Sequence, residues 1–211
     1  MQIIKESDLD AVHLACKSLQ AGNLIIFKTD TIYGIAADAS NEEAVAKLYR
    51  LKERNLNKPI AIFVKNSDIA EKIFVFDDLL KKIAKKHLPG PLTIVAELRN
   101  NCNVLLAKNL NQNNNSLGFR VINKLFINHI LEEFNLPLAV TSANISGENV
   151  AQNLADIQKY FCHNTKEPAL DLFIDSSDSE ANGASTVVKI SNNKLEILRH
   201  GLISEAKLLK L

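Results

Sequence analysis

The chain has 211 residues and carries 25 Lys and Arg against 24 Asp and Glu, a formal net charge of +1. No global field therefore draws it to nucleic acid or to an anionic membrane, and any anion site must be local. With 46% apolar residues it can bury a sizeable core, which predicts a globular protein.

Three cysteines, Cys16, Cys102 and Cys162, form no C-x-x-C pair and no disulfide framework, as expected for a reducing compartment. The N-terminus turns acidic within its first residues instead of continuing into a signal-peptide core, and no stretch reaches the roughly 18 apolar residues that a membrane helix needs. The expected location is the cytoplasm.

A first helix capped by Ser7 or Asp8 is expected through Gln20, with Leu9, Val12, Cys16 and Leu19 on one face and Gly22 as its stop. A strand over 24–27 follows. The segment Thr29-Asp30-Thr31-Ile32-Tyr33-Gly34 then breaks the apolar run with small polar residues, as a strand-end loop beside a ligand does. Ser40 to Glu43 reads as a capping box for a helix through Ala44, Val45, Leu48 and Leu51. A buried strand over 60–64 comes next. Helices over 67–73 and 77–87 lead to the turn Pro89-Gly90-Pro91 and a strand over 92–98.

The segment 99–115 contains eight asparagines and has little to bury, which predicts a mobile surface loop. Beyond it the pattern gives a strand over 117–122, a helix over 124–134, a strand over 138–141 and a helix over 154–161. Strands over 170–174, 185–190 and 195–198 and a short terminal helix complete the chain. Helices interspersed with strands, without a repeat or linker, predict a single α/β domain over 1–211, built on a twisted mixed sheet with flanking helices.

Two polar clusters stand out from this pattern. Lys52-Glu53-Arg54, with Lys58 close behind, puts three cations into seven residues after an apolar helical stretch. Residues two apart on a helix point about 200° from one another, so Lys52 and Arg54 can share a ligand only if the helix ends near Leu51 and the chain becomes extended. The plainer alternative is a solvated helix end whose cations complement the dipole. Thr141-Ser142-Ala143-Asn144 follows a strand-like run and offers hydroxyls and an amide, suited either to an anion or to a local Asx/Ser turn. Ser142 has no G-x-S-x-G elbow and no recognisable histidine partner, so covalent catalysis is not expected. Neither standard phosphate-binding glycine loop occurs. Cys162-His163 lacks a second pair at zinc spacing, which reads as a helix-core Cys162 and a surface His163.

Taken together, the ordered segments Thr29 to Gly34, Leu51-Lys52-Glu53-Arg54, Leu88-Pro89-Gly90-Pro91-Leu92-Thr93, Ser116-Leu117-Gly118-Phe119-Arg120-Val121, Thr141 to Gly147, Ser185-Thr186-Val187-Val188 and Ile197 to Gly201 resemble the YrdC/TsaC-type threonylcarbamoyl-AMP synthases over nearly the whole chain. The resemblance implies a YrdC-like fold around a basic concave cavity. It also implies an enzyme that joins L-threonine, bicarbonate and ATP into L-threonylcarbamoyl-AMP, with release of pyrophosphate, for t6A modification of tRNA adenosine 37. The short, single-domain branch is the one implied.

By the same resemblance, Lys52, Arg54, Ser142 and Asn144 are the expected catalytic group. Lys58, Ser116, Val150 and Arg199 join Arg54, Ser142 and Asn144 on ATP. Thr31, Phe63, Arg120, Val140 and Ser185 hold L-threonine. No protein-bound metal is expected, Mg²⁺ arriving with the ATP phosphates. The downstream partners are transfer proteins of the TsaD/TsaB type, with tRNA itself a candidate and no membrane involved. Lys28, Asn55, Lys58 and Lys189 depart from residues common at their places in the family, which bears on loop geometry. Two other readings compete: a non-catalytic tRNA- or double-stranded-RNA-binding module, against which the near-neutral charge argues, and a carbamoyl-adenylate enzyme of hydrogenase maturation, an activity of a much larger protein.

Overall fold

A computed structural model describes residues 1–112, 114–161, 170–176 and 183–210. Its strands are β1 (Gln2–Lys5), β2 (Leu24–Lys28), β3 (Tyr33–Asp38), β4 (Ala61–Val64), β5 (Leu92–Glu97), β6 (Ser116–Val121), β7 (Leu138–Ser142), β8 (Leu170–Asp175), β9 (Thr186–Ser191) and β10 (Lys194–Arg199). Its helices are α1 (Ala11–Gln20), α2 (Glu42–Leu51), α3 (Ser67–Ile73), α4 (Asp78–His87), α5 (Leu125–Phe134), α6 (Leu154–Phe161) and α7 (Glu205–Leu209). The strands form one 10-stranded sheet in the order β1-β8-β2-β3-β7-β4-β6-β5-β9-β10. Parallel pairs (β1 with β8, β8 with β2, β4 with β6, β5 with β9) stand beside antiparallel ones, so the sheet is mixed as the sequence predicts.

Side-chain parity divides this sheet into two unlike faces. One face carries Ile35, Ile62, Ile94, Phe119, Ala139 and Val188 and is covered by residues of α2, α3, α4, α6 and α7. Phe119 stacks on Phe74 with centroids 4.5 Å apart, and fully burying a side chain of this kind stabilises by about 1.5–3 kcal/mol. The other face is covered at one end only. There α1 and α5 pack Ala15, Cys16, Leu19, Ile127, Ile130 and Leu131 onto Ile4, Ile25, Phe27, Leu172 and Ile174. Beyond Phe63 and Val140 no described helix continues this layer, and small residues follow on that face: Gly34, Ala61, Thr93 and Gly118.

Several local expectations differ from what forms. α1 begins at Ala11, later than the pattern suggested, because Asp8 accepts a hydrogen bond from the Lys5 N–H at 2.9 Å and closes a separate turn. Leu9 is consequently fully exposed. Gly22 does stop the helix, at φ +72. The cap of α2 is Asn41, whose Oδ1 accepts from the Glu43 and Ala44 N–H groups at 3.0 and 3.1 Å, while the Ser40 hydroxyl turns back to Asp38 at 2.7 Å.

β1 and β3 form where no strand was expected. The 99–115 segment is anchored instead of free: Ala107 and Leu110 are buried, the Ala107 N–H donates to the Ala39 carbonyl, and the Leu110 carbonyl accepts from Ile60 N–H and Tyr49 Oη. Residue 113 of that segment, Cys162 and His163 lie outside the described residues.

Because two α2 amides rest on one acceptor, Asn41→Ala is expected to lower folding stability by about 1 kcal/mol, read as a lower midpoint of denaturant unfolding at unchanged slope.

Candidate functional site

The uncovered part of the sheet forms the floor of a cavity of about 400 Å³, walled by the 29–34 loop, the Pro59 segment and the β10 end. Its lining includes the guanidinium groups of Arg54, Arg120 and Arg199 and the hydroxyls of Thr29, Thr31, Thr93, Ser116, Ser142 and Ser185, with no carboxylate among them. Such a surface attracts anions and gives them directional donors. Gly34 and Gly118 keep the floor low. A Cβ on Gly34 would sit 3.1 Å from Val140 Cγ1, and one on Gly118 would sit 3.2 Å from Ala61 Cβ.

Arg120, on β6 and only 3% exposed, occupies one end. Its Nε donates to the Gly90 carbonyl at 2.9 Å and its Nη1 to Thr31 Oγ1 at 3.0 Å, while Nη2 pairs with Asp30. The guanidinium lies 5.7 Å from the centroid of the Phe63 ring, a cation–π contact that favours the charge. Burial draws its pKa down and the Asp30 carboxylate opposes this. Thr31 is held by a local turn, since Thr29 Oγ1 accepts from the Thr31 and Ile32 N–H groups, each at 3.0 Å. Fork, loop and ring are thus fixed together.

At the β9–β10 wall, Arg199 Nη2 donates to the Ser185 carbonyl at 2.8 Å and to Ser185 Oγ at 3.1 Å. Ser185 Oγ in turn shares a 2.9 Å hydrogen bond with Thr93 Oγ1. Thr186 fixes this corner through its Oγ1, which donates to the Ile203 carbonyl at 2.8 Å and accepts from the Ile203 N–H at 2.9 Å. Ser185 therefore touches both the Arg199 side of the cavity and the Thr93 floor.

The two clusters singled out in the sequence do meet, but not as two cationic prongs on one ligand. α2 ends at Leu51 as required, yet the chain then turns instead of extending. The Arg54 N–H donates to the Tyr49 carbonyl, the Glu53 N–H donates to the Arg50 carbonyl, and Glu53 takes φ 49, which is a Schellman termination with a non-glycine residue in the left-handed position. The turn sends Lys52 and Arg54 to opposite sides. Lys52 is 1% exposed, and its ammonium donates to the Ser142 carbonyl, to the Asn144 carbonyl at 2.6 Å and to Asn144 Oδ1 at 2.9 Å. Burial, and after it the charge of Arg54, push its pKa down to about 7.

Arg54 reaches the cavity, braced by the Lys58 and Pro59 carbonyls at 3.0 and 2.9 Å, and its other N–H groups are left for a ligand. Ser142 lines the cavity too, with its hydroxyl donating to Asn144 Oδ1 at 2.7 Å.

Of the expected site residues, Thr31, Arg54, Phe63, Ser116, Arg120, Val140, Ser142, Ser185 and Arg199 line one cavity. Lys52 and Asn144 stand behind its wall, the Lys58 side chain is exposed and absent from the lining, and Val150 is half-buried with its carbonyl accepting from Gln152. Thr29, Thr93, Gly34 and Gly118 belong to the lining without having been assigned a role. A glycine inside the expected strand over 117–122 was the available signal for close approach at Gly118.

The sequence profile of the Sua5/YciO/YrdC family, described as telomere recombination, matches residues 17–201. A Methanocaldococcus jannaschii relative is 36% identical over 193 residues, spanning 91% of this chain and 86% of the relative. The Bos taurus threonylcarbamoyl-AMP synthase is 33% identical over 207 residues, 93% of this chain and 70% of that protein. Among solved structures, P. abyssi Sua5 complexed with L-threonine superposes with a TM-score of 0.82 at 23% identity, covering 95% of this chain but only 58% of that longer one, a likeness of fold. With sequence matches of this extent and the shared mixed-sheet fold, the chain belongs to the Sua5/YciO/YrdC family.

Proposed function

We propose that this chain is a nucleotidyltransferase that makes L-threonylcarbamoyl-AMP from L-threonine, bicarbonate and ATP. The observation that carries the reading is the convergence on one cavity, with no carboxylate among its described lining residues, of Arg54, Ser116, Ser142 and Arg199, which we assign to the nucleotide, with Thr31, Phe63, Arg120, Val140 and Ser185, which we assign to the amino acid. The names of the bovine relative, a threonylcarbamoyl-AMP synthase, and of the threonine-bound archaeal Sua5 support it.

In the proposed reaction the threonine amine and bicarbonate condense to a carbamate with loss of water. A carbamate oxygen then attacks the α-phosphorus of ATP, an O–P bond forms, and the bond to the β-phosphate oxygen breaks to release pyrophosphate. The protein supplies no nucleophile; it positions the reactants and stabilises charge. Arg54 and Arg199 offer N–H groups to phosphate oxygens. The remaining N–H groups of Arg120 hold the threonine carboxylate, with its orientation set by Asp30 and Gly90. Lys52 and Asn144 act by fixing Ser142 in the wall, and Lys58 and Val150 contribute through main-chain groups near the mouth. Mg²⁺ is assigned to the phosphates of the ATP substrate. The product passes to transfer proteins of the TsaD/TsaB type acting on tRNA. No described helix is long and apolar enough to cross a membrane, which is compatible with a cytoplasmic role.

Pyrophosphate release from ATP should depend on both L-threonine and bicarbonate, and absence of turnover with Mg²⁺ present sinks the proposal. Arg120→Lys keeps a charge for Asp30 but loses the fork, so it should raise the KM for threonine at least about tenfold with little change in the KM for ATP. Arg54→Ala should lower the turnover rate about 10²–10³-fold, measured in the same assay.

A further inference from the structure

Among the described residues, the partners of the Lys52 ammonium are three oxygens: the carbonyls of Ser142 and Asn144 and the amide Oδ1 of Asn144. An ammonium has three N–H donors, so each proton has its own acceptor. No carboxylate takes part, and the charge is held by neutral dipoles, as backbone carbonyls hold a dehydrated potassium ion in a selectivity filter.

The position of these oxygens is held by bonds of the loop itself as well as by the ammonium. Two are main-chain atoms at the end of β7. The third is aimed by Ser142 Oγ, which donates to it at 2.7 Å, and by Asn144 Nδ2, which donates to the Glu148 carbonyl at 2.7 Å. The Ser146 N–H closes the loop on the Lys52 carbonyl at 2.9 Å.

We propose that the loop 142–144 is a monovalent-cation cage that Lys52 fills with a tethered ammonium, and that ammonium or potassium from solution fills once the stem is cut back. The contacts of 2.6 and 2.9 Å are longer than the roughly 2.0–2.1 Å that magnesium demands, and a ligand set without a carboxylate does not offset the dehydration of a doubly charged ion. Residues 146–149 beside the cage are exposed, which gives an ion a short route from solvent. The inference rests on the synthase reading only in that Ser142, the group the cage aims, is there a nucleotide ligand.

Thermal melting of Lys52→Ala in ammonium, potassium and choline chloride at equal ionic strength tests the cage without any substrate. Lys52→Met, which fills the space with an uncharged chain, and the wild type are the controls. Lys52→Ala should melt higher in ammonium or potassium than in choline, by an amount that grows with cation concentration, and neither control should respond. Threonine-dependent pyrophosphate release by the same variant should recover at least about tenfold in those salts. A Lys52→Ala chain that melts alike in all three salts, or stays unfolded in all three, overturns the proposal, as does an equal response from Lys52→Met. A wild type inactive in pyrophosphate release would count against the synthase reading and leave the melting result standing.

Discussion

A positive charge buried away from water needs acceptors around it, and the turn that follows β7 has the shape that meets this need for Lys52. Two carbonyls and one amide point inward at its ammonium, so the main chain between Ser142 and Asn144 cannot relax into an ordinary extended exit from the strand. Ser142 is left facing the cavity as a result. On the other partner, the left-handed residue Glu53 reverses the chain within one step, and Arg54 swings to the side that Lys52 does not use. Each cluster therefore gives one residue to the scaffold and one to the cavity: Lys52 and Asn144 lock together, Arg54 and Ser142 look outward.

The cavity itself results from incomplete coverage of a sheet. Helices line one face, whereas on the other α1 and α5 cover the sheet from β1 only as far as Val140 of β7 and Phe63 of β4. An uncovered apolar floor would be an aggregation hazard, and here Gly34, Ala61, Thr93 and Gly118 interrupt the apolar lining, with arginines at its edges. These small residues make room for ligand, and the hydroxyls and guanidinium groups around them keep the surface wettable. Arg120 is the point where the two regimes meet, its ring partner Phe63 belonging to the packed layer and its fork to the cavity.

Local signals made much of this legible. α3 and α6 run where their apolar periodicity places them, because each starts behind an asparagine, Asn66 or Asn153, that accepts from its first turn, and each buries one stripe. β3 escaped notice because Tyr33 to Asp38 holds a glycine and two alanines and owes its strand conformation to β2 and β7 on either side. β1 has four residues, one of them buried, and pairs with β8 more than a hundred residues away, a constraint with no local trace. In the 99–115 segment, the many asparagines hid two apolar anchors, Ala107 and Leu110, whose importance lies in the carbonyl and amide bonds beside them. The cavity-lining residues could be named from the family pattern, but the side to which each points could not. Period-two reasoning assumed that Lys52 and Arg54 sit in extended chain, and a Schellman turn with a glutamate in the left-handed position carries no sequence flag.

The order in which the sheet is threaded has a kinetic corollary. β9 lies parallel to β5 across an intervening stretch that includes β6, α5, β7, α6 and β8, and it is this pairing that sets Ser185 and Arg199 opposite Thr93 and the β6 arginine. During synthesis the amino-terminal wall, with Thr31 and Arg54, can form early, but the pocket has no far side until the last strands have closed a long loop. Contacts of such sequence separation are slow to make, so the competence of this protein to bind its ligands arrives late in folding, after most of its core is in place.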